Sequence, residues 1–264
     1  MPREAGPDFI EALARGLDVV RCFRPGRPVM TLSEVATATG LARPTVRRIL
    51  LTLEELGYVR AVGERGFALT PRVLELGMSY VNALSLWDVA RPHMQSLVAK
   101  TGESTSLSQL DGSDIVYVAR VAVPKIVTLA VTIGTRFPAP ATSMGKVLLA
   151  ALTPDELTKL LGEPSRSGIT PRWQPPRDEL DAALREVRTK GWALADQDLA
   201  PGVRSVATGV RNGDGRVVAA LNVTVHAAET TVEHLLDHHL PLLLRTAADI
   251  SHDWSLLDSV PIVT

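Results

Sequence analysis

The chain has 264 residues, a formal net charge of −1, 45% apolar residues and a single cysteine. That length exceeds one typical domain and leaves room for two cores. The near-neutral charge excludes a chain that coats nucleic acid along its whole length, and one cysteine excludes an intrachain disulfide. No window reaches the ~18 to 20 apolar residues of a membrane-spanning helix. The first residues carry no apolar leader run. The expectation is a cytoplasmic protein with no membrane partner.

Charge is unevenly spread. Residues 1–72 hold 11 Arg and no Lys against 8 acidic residues, whereas the remainder holds 17 basic and 21 acidic residues. A basic module on a mildly acidic body suits a nucleic-acid-binding head. Residues 1–7 read as a frayed tail. Residues 8–23 are predicted helical, with Phe9, Leu13, Leu17 and Val20 on one face, and residues 24–28 form a loop. Thr31 and Glu34 have capping-box spacing. They open a short helix that runs to Thr39, and Gly40 supplies the turn. A second helix is predicted from about Ala42 to Leu56, with Val46, Ile49, Leu50, Leu53 and Leu56 as its buried stripe and Gly57 ending it. Residues 58–62 and 67–70 pair across the Gly63–Gly66 turn.

Two helices at a tight turn followed by a hairpin form a winged helix-turn-helix, a DNA-binding arrangement. A helix entering the major groove needs donors near its N-terminus. Arg43, Thr45, Arg47, Arg48 and, one turn on, Thr52 are placed for this. Arg60 and Arg65 in the wing are placed for phosphate or the minor groove. On a lone helix the same arginines would read as a solvated basic face. The capping box, turn glycine and wing in register favour double-stranded DNA.

Residues 71–86 are predicted as a linker helix, with Leu74, Met78, Val81 and Leu84 on one stripe. The second domain, residues 87–258, opens with a helix over 87–100. Strands are expected at 107–110, 115–121, 126–133, 192–196, 203–210 and 217–225. Helices are expected at 142–152, from Thr153 to Leu161, at 178–190, and from Thr230 to about Ser255 with a kink at Pro241. With the head at residues 8–70, the class is α+β: an antiparallel sheet carrying helices behind a winged helix-turn-helix.

The sharpest feature of the second domain is Ala139 to Lys146, where Thr142 or Ser143 can cap a helix. A helix N-terminus suits a carboxylate or phosphate, although an ordinary N-cap accounts for the same residues. In the strand at 217–225, Asn222 and Thr224 share a face, and in the strand before it Val203 and Ser205 do. Those faces either line a cavity for a small polar ligand or face solvent. His234, His238 and His239 do not match a zinc-protease pattern, no nucleophile elbow or nucleotide fingerprint is present, and no catalytic residue, metal or cofactor is assigned. The alternatives to a regulator are an enzyme, or an assembly domain without an effector, behind a DNA-binding head.

Taken together, several stretches resemble the IclR-type transcriptional regulators. They are residues 14–19, 40–46 and 53–58 in the head, and 141–150, 190–192 and 202–207 in the second domain. The resemblance covers about residues 9 to 255. It implies a GAF-like effector-binding domain and homodimers or homotetramers on near-palindromic operator DNA. It maps the effector site onto Ser143, Met144, Asp196, Val203, Ser205, Asn222 and Thr224, with Leu129 and Phe137 among the apolar walls. The Thr142–Lys146 stretch is similar to members that control protocatechuate and β-ketoadipate breakdown, which implies a small carboxylate effector.

Overall fold

A computed structural model describes residue 6 and residues 8–24, 26–77, 86–124 and 131–258. The chain divides into two compact units, Met1–Ala83 and Leu84–Thr264.

The first unit runs α1 (Glu11–Cys22), β1 (Val29–Thr31), α2 (Leu32–Thr39), α3 (Arg43–Glu55), β2 (Val59–Val62) and β3 (Gly66–Leu69). The Thr31 hydroxyl accepts from the Glu34 N–H at 3.3 Å, and the Glu34 carboxylate accepts from the Thr31 N–H at 2.7 Å. The Thr31 backbone and hydroxyl donors hold the Glu34 carboxyl below its usual range. The cap therefore contributes stability above the ordinary carboxylate pKa, and loses it as pH falls through the lowered one. Gly40 adopts φ 68° at the end of α2. The wing is a three-stranded sheet among the described residues, order β1-β3-β2, because Val29–Thr31 adds a strand antiparallel to β3. Val19, Met30, Val35, Val46, Leu50 and Val59 form the core.

Two sequence expectations differ here. α1 turns Val19 and Cys22 inward, while Phe9, Leu13 and Leu17 are 55%, 61% and 47% exposed. Leu56 is also exposed, because it lies past the last turn of α3 as its C-cap. After the wing, Pro71–Val73 makes a 3₁₀ turn and residues 74–77 are helical. The rest of the expected linker helix, with Met78, Val81 and Leu84, lies outside the described residues.

The second unit begins with α4 (Leu86–Thr101) and the hairpin β4 (Ser104–Asp111) and β5 (Asp114–Val121). β6 (Arg136–Pro138), a 3₁₀ turn (Ala139–Ala141), α5 (Ser143–Ala150), α6 (Pro154–Leu161) and α7 (Arg177–Lys190) follow. The chain closes with β7 (Trp192–Asp196), β8 (Val203–Arg211), β9 (Val217–His226) and α8 (Leu240–Asp258). Among the described residues the six strands are antiparallel in the order β6-β5-β4-β9-β8-β7. The expected strand at 126–133 falls largely outside the described residues, and residues 131–133 are loop. The break expected at Pro241 takes the form of a π-helical segment, Leu235–His239, just before it. Proline has no N–H for the i−4 carbonyl, so the helix changes register there.

The sheet has a core on each face. Leu107, Val206, Leu221 and Val223 pack against Met94 and Leu97 of α4 and Leu243 and Ile250 of α8. Ile115, Phe137 and Ala207 pack against Met144 and Leu149 of α5 and Leu180 and Leu184 of α7.

All eight residues of α5 are buried. A Cβ on Gly145 would stand 2.0 Å from the Ala139 carbonyl oxygen. Gly145→Ala is therefore expected to lower stability by about 3 kcal/mol or abolish folding of this unit. Urea unfolding of the full chain checks it; a midpoint equal to wild type would refute the close approach.

Candidate functional site

Two surfaces carry the candidate residues. In the first unit, Arg43, Arg47 and Arg48 are exposed on α3, Arg60 on β2 and Arg65 in the wing turn. Among the described residues none of these five has a carboxylate partner. The nearby Glu54 carboxylate instead accepts from the Ala61 N–H at 3.2 Å. α3 begins at Ala42, which offers no side-chain cap, so its first N–H groups remain free beside the arginines. Thr45 is half-buried, and the exposed Thr52 donates its hydroxyl to the Arg48 carbonyl at 2.9 Å. The result is a surface of fixed positive charge and open donors, suited to polyanions.

In the second unit a cavity of about 40 Å³ lies between the sheet and the first turn of α5. Phe137, Ser143, Met144, Val203, Ser205, Asn222 and Thr224 line it. Asp196 does not: its carboxylate takes the Arg204 guanidinium at 2.8 Å, and Arg204 also donates to the Thr230 carbonyl. Leu129 lies outside the described residues. The register explains the polar lining. Ser205 stands opposite Thr224 and Ala207 opposite Asn222, while Ser106 on β4 stands opposite Asn222 and Arg120.

Polar groups here are linked to one another. The Ser143 and Ser205 hydroxyls are 2.7 Å apart. The Asn222 amide donates to the Thr224 hydroxyl at 2.9 Å and accepts from the Ser106 N–H at 3.0 Å. Thr142 is the cap, accepting from the Gly145 N–H at 2.9 Å, which leaves Ser143 free to face the cavity.

Sequence reasoning missed Tyr117 and Arg120, which also line the cavity. Residues three apart on a strand normally point to opposite faces. A bulge between Leu107 and Ser108 places Ala119 opposite Leu107 but Tyr117 opposite Ser108, so one extra residue of β5 resets the alternation. Arg120 donates to the Ser106 hydroxyl at 3.0 Å and has no carboxylate partner among the described residues. Burial lowers its pKa from the ordinary guanidinium value, yet arginine stays charged at neutral pH. Burial pushes the Tyr117 phenol up, so it remains a neutral donor. The one usable signal was an arginine inside the apolar run Val116 to Val121.

Lys146, one turn into α5, is engaged elsewhere. Its ammonium donates to Asp198 at 2.6 Å and the Leu194 carbonyl at 3.1 Å, and stands 4.3 Å from the Trp173 ring centre. His234 and His238 stack at 4.3 Å. Among the described residues no group of three or more His, Cys, Asp or Glu side chains is placed to hold a metal ion.

Residues 12–63 match the family described as IclR helix-turn-helix domain, and residues 78–252 match Bacterial transcriptional regulator IclR C-terminal. The Pca regulon regulatory protein of Pseudomonas putida is 36% identical, over 93% of this chain and 84% of that protein. The p-hydroxybenzoate hydroxylase transcriptional activator of Acinetobacter baylyi is 33% identical, over 92% of this chain and 91% of its own. The crystal structure of RHA06195 from Rhodococcus sp. RHA1 superposes with a TM-score of 0.82 at 51% identity, covering 94% of this chain and 100% of that one. A double mutant of the PobR inducer-binding domain from Acinetobacter, in complex with 3-hydroxy benzoic acid, superposes at 0.55 with 29% identity, covering 62% and 97%.

The Lys146 side chain is 9% exposed and Asp198 19%. Removing one member of a buried pair strands the other charge. Lys146→Met is expected to cost about 3 kcal/mol, with part recovered in Lys146→Met/Asp198→Asn. Denaturant unfolding of both variants checks this; equal loss in the two would rule out the pair as the cause.

Proposed function

Because this chain belongs to the IclR family of bacterial transcriptional regulators, we propose that it is a cytoplasmic one-component regulator, not an enzyme. Its head binds near-palindromic operator DNA and its second unit senses a small carboxylate. The observation that carries the sensing half is Arg120, a cation without a counter-ion among the described residues, in the wall of a small cavity of mixed polar and apolar lining. A carboxylate is the ligand that completes it, through charge-assisted hydrogen bonds. Phe137 and Tyr117, edge to face at 5.6 Å, offer a ring-binding wall, and the Ser143–Ser205 hydroxyl pair offers a second polar end. An aromatic acid with a distal hydroxyl fits that chemistry. The names of two relatives support control of aromatic catabolism.

The domain reading is residues 8–70 for the head, 71–86 for the linker and 87–258 for the effector domain. The cavity, at about 40 Å³, lies far below the ~300 to 1,000 Å³ of occupied ligand sites. The effector therefore binds a wider conformer than the one described. A ligand that prefers one of two conformers shifts their populations, by ~1 to 3 kcal/mol in typical regulators. Exposed Phe9 just before α1, Leu13 and Leu17 on it, and Leu74 and Leu76 beyond the wing support a homodimer or homotetramer. Half-sites one helical turn apart would set two heads about 34 Å apart.

Two measurements test the reading. A thermal-shift screen with benzoate, hydroxybenzoates and aliphatic dicarboxylates is expected to raise the midpoint for at least one acid. Arg120→Gln and Ser143→Ala should each diminish that shift; no shift with any carboxylate would sink the effector assignment. For the head, Arg47→Ala is expected to weaken binding to the chain's own promoter fragment and to reduce the slope of log K against log salt by about 1. An unchanged affinity and slope would remove Arg47 from the interface.

A further inference from the structure

The second unit holds another, larger cavity of about 610 Å³, which shares Ala141 with the effector cavity but none of its polar residues. Its volume falls within the ~300 to 1,000 Å³ range of small-molecule sites. Pro138, Pro140, Leu161, Ile169, Trp173 and Leu180 give it apolar walls.

Its charges are unequal. Two charged side chains, Arg177 and Glu163, lie in the wall. Arg177 is engaged, donating to Asp181 at 3.0 Å and to the Thr158 hydroxyl at 3.1 Å. The carboxylate of half-buried Glu163 has no hydrogen-bond or ion-pair partner among the described residues. Its Oε2 stands 3.0 Å from where a Cβ on Gly112 would sit, so the carboxylate rests against the β4–β5 turn. The next residue of that turn is Ser113, which also lines the cavity. Ser113 is 9% exposed, and its Oγ is buried without a hydrogen-bond partner. A native structure leaves few such atoms, and each one calls for an explanation.

An unneutralised carboxylate and an unpartnered hydroxyl at one turn, at the edge of an apolar cavity, define a ligand. It carries a positive charge and several N–H donors at one end, and a hydrophobic body. We propose that this cavity binds a small hydrophobic primary amine, with its ammonium on Glu163 and Ser113 and its body against Trp173 and the prolines. An ammonium carries three donors, enough for a carboxylate and a hydroxyl. One side of the Trp173 ring already holds the Lys146 ammonium, so the amine's body packs on the remaining aromatic surface. The chemistry is opposite to that of the effector cavity. Glu163 repels carboxylates, as Arg120 attracts them, and the inference stands whether or not the effector reading does.

Isothermal titration of the full chain with benzylamine, benzyl alcohol and benzoate separates the contributions of charge and shape without any variant. Benzylamine is expected to bind saturably at one site per chain, and the two isosteres at least about tenfold more weakly. Glu163→Gln should weaken benzylamine at least about tenfold, and Ser113→Ala by a few-fold, each with an unchanged thermal midpoint. Arg120→Gln, in the other cavity, should leave benzylamine binding unaltered. The proposal is overturned if benzylamine does not bind, if benzyl alcohol binds as tightly, or if Glu163→Gln binds it like wild type.

Discussion

The close approach of α5 to the Ala139–Ala141 turn is the contact on which the second unit depends. A helix buried over its whole length must bring its polar groups to partners, because an unsatisfied group in such a place costs about 1 to 3 kcal/mol. Gly145 permits the approach, since any side chain there would enter the Ala139 backbone. Once the helix is seated, each polar residue of its first turn has one place to go. Thr142 turns back to cap the helix, Ser143 reaches Ser205 on β8, and Lys146 reaches Leu194 on β7 and Asp198 beyond it. The motif is thus a packing device first. The cavity is the space left where this turn meets the polar face of the sheet.

Local chemistry was legible in the sequence wherever it depended on a few neighbouring residues. The Thr31–Glu34 and Thr153–Glu156 boxes form as their spacing predicts, and Gly40 and Gly191 end their helices with φ 68° and 77°. Alternation pairs Asn222 with Thr224 and Val203 with Ser205, and all four line the cavity beside α5. Other features resisted because they depend on partners distant in sequence. β1 and β6 have three residues each, too few to show a period. The bulge that carries Arg120 and Tyr117 to one face exists only as a mismatch between two strands, so strict alternation reads them apart. The resemblance maps Asp196 onto the site, but Arg204 lies directly opposite it across β7 and β8. On α1 the apolar period was real, yet the buried side is set by Val19 against the head's own core.

Charge separates scaffold from surface for use. Arg204 with Asp196 across β7 and β8, Lys146 of α5 with Asp198, and Arg177 with Asp181 within α7 are neutralised. The arginines of α3 and the wing, Arg120, and Glu163 have no opposite charge among the described residues. A protein that meets the needs of buried and half-buried charge in so many places leaves it unmet where a partner comes from outside. On the proposed readings, Arg120 would meet an anion in one cavity and Glu163 a cation in the other, while the exposed arginines of the head would meet a polyanion.

The small size of the cavity beside α5 bears on how the proposed sensing would work. A cavity already shaped for its ligand would bind it tightly and change nothing, because equal affinity for two conformers shifts neither. Here the hydroxyl and amide groups of the wall bond to one another, Ser143 to Ser205 and Asn222 to Thr224, so the ligand-free state is internally satisfied. Arg120 is the exception, its guanidinium holding a neutral serine hydroxyl and no carboxylate among the described residues. On the proposed reading a carboxylate would bring the opposite charge to that guanidinium, and seating it would require the cavity of about 40 Å³ to widen. The proposed ligand would then gain most at that guanidinium, and any widening at the first turn of α5 would act on a helix buried along its length. Because α5 is rigidly seated through Gly145 and tied through Lys146 to β7 and the loop beyond, its displacement moves those elements with it rather than being absorbed locally.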